Sequence, residues 1–168
     1  MLRRFCGFEI AVTNMIYCAS KDGFAAWKFH SKVDGAGKTL IIIRSADGSV
    51  FGGFTDLGFD SVSCYKTDPK AFLFHVTKKT KIESNCGGTN ALFCDSDYAA
   101  TFGSGHDLYI CDNSDSSNSS YSNLGNSYKC PEGTTYGNDD AKAYFAGAYN
   151  FTTKEIEAFS FIAAEWCS

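Results

Sequence analysis

The side chains with the greatest capacity for chemistry are three histidines, His30, His75 and His106, and eight cysteines, Cys6, Cys18, Cys64, Cys86, Cys94, Cys111, Cys130 and Cys167. A structural zinc site collects such ligands at short, repeated spacings, because one turn or one helix face must deliver them to a single tetrahedral point. The chain has no H-x-H, H-E-x-x-H or C-x-x-C spacing. His30 reads as part of a helix face and His75 as part of a strand, both hydrogen-bonded and partly buried, and no metal is expected. Nucleophilic catalysis fares no better. No G-x-S-x-G elbow occurs, since Gly103-Ser104-Gly105 lacks the spacing, and no G-x-x-x-x-G-K-[ST] phosphate loop is present. A Cys–His pair brought together by folding stays open, because such partners meet in space and not in sequence.

Two acidic features call for a reading. Asp112 to Asn118 runs Asp-Asn-Ser-Asp-Ser-Ser-Asn, with oxygen ligands at close intervals. It lacks the central glycine and the terminal bidentate glutamate of a calcium loop, so a solvated loop is the expectation. The whole stretch 112–126 is polar and is expected to be a surface loop, mobile on its own. In the last apolar run, alternation puts Glu155 and Glu157 on the face of Phe159 and Phe161. A carboxylate beside apolar groups needs a partner. Glu157 is therefore expected to accept hydrogen bonds from backbone or lysine, the alternative being an acidic contact for a partner protein.

The elements that would position these residues are mostly strands. Aromatic residues make up 15% of the chain, with 15 Phe and 9 Tyr, a load suited to pleated, half-buried surfaces. A strand is expected over 15–19, then a short helix with Asp22 as its N-cap. Ala26, Phe29, His30 and Val33 follow the helical i, i+3, i+4, i+7 spacing, with Phe24 and Trp27 widening the apolar arc. Asp34-Gly35-Ala36-Gly37 ends it. Thr39-Leu40-Ile41-Ile42-Ile43-Arg44 has no wet side and reads as a central strand, and Asp47-Gly48 turns it back into Ser49 to Phe54. Gly52 and Gly53 there mark a bulge or a close backbone approach. Further strands are expected over 71–76, 91–94, 106–111 and 155–162. The fold class is α+β and β-dominated: a two-layer antiparallel β-sandwich flanked by one or two short helices, as a single domain over 1–168.

The formal net charge is −4 and no basic stripe is present, which argues against nucleic acid. Arg3 and Arg4 precede a mildly apolar stretch, but Glu9, Thr13 and Asn14 interrupt it, and no cleavage site of small residues follows. The expected location is cytoplasmic, with the cysteines as buried, reduced small hydrophobes and structural bridges as the alternative.

In this order the pieces resemble the TLDc domain of the oxidation-resistance proteins. The resemblance is carried by Ile16-Tyr17, Asp22-Gly23-Phe24 through Phe29-His30-Ser31-Lys32, Thr39-Leu40, and Val50-Phe51-Gly52-Gly53-Phe54-Thr55. It continues with Asp68-Pro69 through Phe74, Thr101-Phe102-Gly103, Gly105-His106-Asp107-Leu108-Tyr109-Ile110, Ala146-Gly147 through Phe151, and Glu155-Ile156-Glu157. The block 119–131 is similar to the subgroup common in single-celled eukaryotes. Two departures stand out: only about fifteen residues precede the first strand, fewer than in the family, and Val33 replaces a cysteine many relatives carry. The resemblance marks Asp22, Gly23, Phe29, Phe51, Gly52, Gly53, Gly103, Asp107, Gly147, Glu155 and Glu157 as motif positions, with Glu155 and Glu157 the candidate contacts for a partner. It implies a sandwich of two sheets, a role in oxidative-stress resistance, and binding to subunits of the vacuolar proton pump, without catalysis and without a cofactor. Two other readings remain: a thiol-based antioxidant enzyme, and a β-sandwich that binds calcium or carbohydrate through residues 112–126.

Overall fold

The run Leu40-Ile41-Ile42-Ile43 determines the layout, because a strand apolar on both faces has to be covered on both. In the computed structural model, which describes residues 13–161, this run lies in β2 (Thr39–Ser45), hydrogen-bonded to β12 (Thr153–Phe161) on one side and β3 (Val50–Thr55) on the other. Ile41 and Ile43 point into the main core with Phe51, Leu73, Ile156 and Ala158. Leu40 and Ile42 join Phe54, Phe72, Phe74, Val76, Phe159 and Phe161 in a second apolar cluster on the other face.

The first sheet has the order β1-β12-β2-β3-β5-β6, with β1 (Thr13–Cys18), β5 (Phe72–His75) and β6 (Thr80–Glu83). The second has the order β11-β10-β9-β8-β7-β4, built from β4 (Cys64–Lys66), β7 (Leu92–Cys94), β8 (Thr101–Phe102), β9 (Leu108–Tyr109), β10 (Ser120–Ser122) and β11 (Asn150–Phe151). All pairings are antiparallel. The two sheets bury a common core between them, with Phe59, Leu92, Phe102 and Leu108 meeting the inner face of the first sheet. Among the described residues three short α-helices, α1 (Ala19–Asp22), α2 (Ala26–Val33) and α3 (Asp139–Lys142), complete a β-dominated α+β sandwich.

The helix face over Ala26, Phe29, His30 and Val33 is buried as its spacing requires. Phe29 and Val33 are wholly shielded, each contributing about 2 kcal/mol by removal from water. Trp27 does not widen that face: it is 62% exposed, with Lys28 Nζ 4.2 Å from its ring centroid. Asp22 is not the cap of this helix either. Gly23, at φ 103°, separates α1 from α2, and the Asp22 carboxylate accepts the Cys18 N–H at 2.9 Å, closing its own turn. The N-terminus of α2 is served from a distance, Ala26 N–H donating to Asp112 Oδ1 at 2.7 Å.

Gly52 and Gly53 lie in regular register with β2 and β5, so no bulge is present. The close approach is real. A Cβ on Gly53 would stand 2.6 Å from the ring of Phe102 in the opposite sheet, and one on Gly52 would strike the Ile41 carbonyl and the Phe74 ring.

The stretch 112–126 is not a free surface loop. It contains β10, and Ser114, Ser120, Ser122 and Leu124 are fully buried. Each serine hydroxyl has a partner: Ser114 with Thr153 Oγ1 at 2.7 Å, Ser122 donating to the Lys142 carbonyl at 2.6 Å, and Ser120 accepting the Cys111 N–H at 3.1 Å. Buried hydroxyls are tolerated because they are bonded, so part of this polar stretch lies in the interior, while Asp112, Asn113, Asp115, Ser116, Asn118 and Ser119 stay at the surface as expected. The strand expected over 106–111 shrinks to Leu108–Tyr109, with His106 in the left-handed region at φ 59°. Arg3, Arg4, Cys6 and Glu9, Ile162 at the end of the expected last strand, and Cys167 lie outside the described residues.

Candidate functional site

The strands of the second sheet alternate, and alternation sorts their side chains. Leu92, Cys94, Leu108, Ser120 and Ser122 are buried, while Phe93, Tyr109 and Tyr121 between them are half-exposed. Register then sets Tyr65 opposite Phe93 and Tyr109 opposite Tyr121. Facing aromatic pairs of this kind stabilise a ladder by up to about 1 kcal/mol each. Ring centroids lie 4.8 Å apart for Tyr65–Phe93, 5.0 Å for Tyr109–Tyr121 and 5.3 Å for Tyr121–Tyr149. Tyr98 joins the edge of Tyr109 at 5.0 Å. A continuous aromatic stripe therefore crosses the outer face of the sheet, ending in Tyr65 and Tyr149, each 43% exposed.

His106 sits in the middle of the stripe. Its ring stacks on Phe93 and Tyr109, both at 5.4 Å, and its Nδ1 lies 3.0 Å from the Tyr121 hydroxyl. Burial pushes its imidazole below the ordinary histidine range, so the neutral ring is favoured. Burial also pushes the phenols of Tyr109 and Tyr121 up, Tyr109 to about 12.

The turn that presents His106 is held from behind by Asp107. This carboxylate is completely buried and accepts four backbone N–H groups: Gly125 and Asn126 at 3.0 Å and Tyr128 at 3.3 Å on Oδ1, and Ser127 at 2.9 Å on Oδ2. Desolvation pushes its acid up to about 6, and the four donors pull the other way. Gly103 leaves the space that Asp107 occupies, since a Cβ there would overlap the carboxylate. The motif residues Gly103 and Asp107 thus clasp the chain at 125–128 and fix the base of the aromatic face.

The other motif positions are scattered through the framework. Phe29 and Phe51 are core residues, Phe29 against Tyr17 at 5.5 Å and Phe51 against Phe145 at 5.0 Å. Gly147 takes φ 71° after α3, beside Asp47. Glu155 is half-buried, with Oε1 accepting the N–H groups of Ser20 and Ile156, both at 3.0 Å, and these bonds hold its carboxyl below the usual range although burial opposes them. The carboxylate of Glu157, the residue expected to be so bonded, has no hydrogen bond or ion pair among the described residues; Glu157 lies half-exposed between Cys18 and Ile42 in the ladder. None of these belongs to the aromatic stripe. Sequence reading missed the stripe because its strands are two or three residues long, too short for a period to register. Only the strand order joins Tyr65 to Tyr149.

The three histidines have different partners. His30 Nδ1 pairs with Asp34 at 2.6 Å and its Nε2 with the Tyr98 carbonyl at 2.8 Å. His75 stacks on Phe145. Gly37-Lys38-Thr39 leads out of a helix into a strand, the reverse of a phosphate loop, and Lys38 is paired with Asp56 at 3.2 Å. Both oxygens of Asp112 accept hydrogen bonds, Oδ1 from the Ala26 N–H and Oδ2 from Asn113 Nδ2, each at 2.7 Å. The six described cysteines are all free: Cys18, Cys94 and Cys111 are buried, Cys64 and Cys130 half-buried and Cys86 exposed. Burial pushes the Cys94 thiol up to about 11, away from the reactive thiolate. No helix among the described residues is long and apolar enough to cross a membrane.

The order of strands, the Gly103–Asp107 clasp and the paired glycines of β3 are the structural counterparts of the motifs read from the sequence. The family model of the TLDc domain matches residues 2–162, and the chain belongs to the TLDc family, which is linked to oxidation resistance.

Proposed function

We propose that this domain works by binding a protein partner in the cytoplasm, without catalysing a reaction, and that the outer aromatic face of the second sheet is the docking surface. The observation that carries this reading is the stripe from Tyr65 to Tyr149. Tyrosine offers a large, rigid, amphipathic contact area at small entropic loss, which is why it is enriched where proteins recognise one another. The Asp107 clasp keeps that surface preorganised, so little ordering is needed on association. A subunit of the vacuolar proton pump is the partner that the TLDc resemblance nominates. Lys142 Nζ lies 5.6 Å from the Tyr149 ring, at one end of the stripe.

The test is the affinity of the whole chain for purified vacuolar proton pump, compared with a Tyr65→Ala/Tyr149→Ala double variant. Both side chains lie at the exposed ends of the stripe, and their removal leaves the core untouched. Loss of two aromatic contacts should weaken binding about tenfold or more. Equal affinity for both proteins would remove the stripe as the docking face. No binding by the unaltered chain would remove the pump as partner.

A further inference from the structure

Cys64 of β4 stands directly opposite Cys94 of β7 in an antiparallel ladder. Facing residues in such a ladder hold their Cα atoms about 4.5–5.5 Å apart, within the range of roughly 4.4–6.8 Å that a disulfide spans. The two side chains also share a face. The adjoining pair, Tyr65 and Phe93, bring their rings together at 4.8 Å on the outside of the sheet, so alternation turns Cys64 and Cys94 inward. Among the described residues no other two cysteines face each other across strands.

Access to the two thiols is unequal. Cys94 is fully buried, whereas Cys64 is half-buried on β4, the edge strand of the second sheet. We propose that Cys64 and Cys94 form a reversible thiol–disulfide site, in which Cys64 is the thiol reached by small disulfides such as oxidised glutathione and Cys94 is the thiol that resolves it. In the first step the Cys64 thiolate attacks one sulfur of the glutathione disulfide. That S–S bond breaks, a glutathione thiolate leaves, and a mixed disulfide forms at Cys64. In the second step Cys94 attacks the Cys64 sulfur, the Cys64–Cys94 bond forms, and the second glutathione leaves as a thiol with the Cys94 proton. Two protein thiols are oxidised by two electrons, one glutathione disulfide is reduced to two thiols, and the two protons released are taken up by them.

Burial keeps the Cys94 thiol inert towards solutes, and the sulfur its ladder position places opposite it is that of Cys64. The product anchors a three-residue edge strand to its neighbour and closes a loop of about 30 residues, which should raise the Tm by about 10 °C. The site does not depend on any partner of the aromatic face.

The whole chain is incubated with oxidised glutathione, blocked with an alkylating reagent, digested without reduction and mapped by mass spectrometry, with Tm measured in parallel. The expected result is a Cys64–Cys94 cross-linked peptide, lost on adding dithiothreitol. The Cys64→Ala variant should leave Cys94 unmodified, and Cys94→Ala should accumulate glutathione on Cys64. A Cys64 that stays glutathionylated beside a free Cys94 in the unaltered chain, or that pairs with any of the other six cysteines, overturns the proposal; so does Cys94 reacting unaided in Cys64→Ala.

Discussion

The Asp112 carboxylate accepts the backbone N–H of Ala26 at 2.7 Å, so a residue 86 positions away caps helix α2. The helix needs it. Its own N-cap residue, Ala25, has no side-chain acceptor, and its first turn contains no acidic residue. A carboxylate at this end satisfies an orphan donor and meets the positive pole of the helix. Asp112→Ala should therefore lower stability by about 1–2 kcal/mol, read as a urea midpoint shift. Asp22→Ala should leave hydrogen exchange of the first turn of α2 unchanged, because that carboxylate serves Cys18. An equal loss of protection in both variants would show that Asp22 caps the helix after all.

Asp107 holds four N–H groups in a site without water access. Asp107→Asn replaces one acceptor oxygen with an NH2 group that faces donors. The expected loss is about 2–4 kcal/mol. Hydrogen exchange should accelerate at Gly125 to Tyr128 before it does so in β2, since the clasp and not the first sheet is opened.

Acid sensitivity should pass through His75. This residue is 2% exposed, and burial brings its imidazole down to about 4. The unfolded chain takes up the proton near 6.5 and the folded chain resists it until about 4. Protons in that window favour unfolding, so the contribution is complete above 6.5 and is lost as the pH falls towards 4. The shift corresponds to about 3 kcal/mol. Asp107 acts in the opposite sense: its folded value of about 6 exceeds the unfolded 3.8, so its contribution is present below 3.8 and is lost as the pH rises through 6. His75→Phe keeps the ring against Phe145 and should flatten the acid limb between pH 4 and 6.5, with about 1 kcal/mol lost at neutral pH for the unpaired Lys78 N–H. An unaltered acid limb in that variant would remove His75 as its origin.

The two glutamates of the last strand should separate cleanly. Glu155→Gln weakens charge-assisted bonds to Ser20 and Ile156 and should cost about 1 kcal/mol. Glu157→Gln should stay within about 0.5 kcal/mol of the unaltered chain, as surface changes without a partner do. Thermal melts of both variants decide this, and the reverse order would restore Glu157 as the structural carboxylate.

Close packing between the sheets is tested at Gly53. A methyl group there meets Phe102 and Leu73 side chains at 2.6–2.9 Å. Gly53→Ala should destabilise by about 1–3 kcal/mol through overpacking. Combining it with Phe102→Leu should recover part of the loss, and no recovery would place the strain elsewhere.

The residues by themselves determined the central strand, the hairpin at Asp47-Gly48, the buried face of α2 and the β-dominated class. These follow from periodicity and turn chemistry, which act over a few residues and so are written locally. Tertiary structure decided the rest. The cap of α2 comes from Asp112 because a carboxylate can serve any N–H that folding brings to it. Ser114, Ser120 and Ser122 are interior because partners elsewhere in the chain satisfy their hydroxyls, which no polarity pattern records. The aromatic face exists only because strands of two and three residues, each too short to carry a period, are hydrogen-bonded in one order that places Tyr65, Tyr98, Tyr109, Tyr121 and Tyr149 side by side.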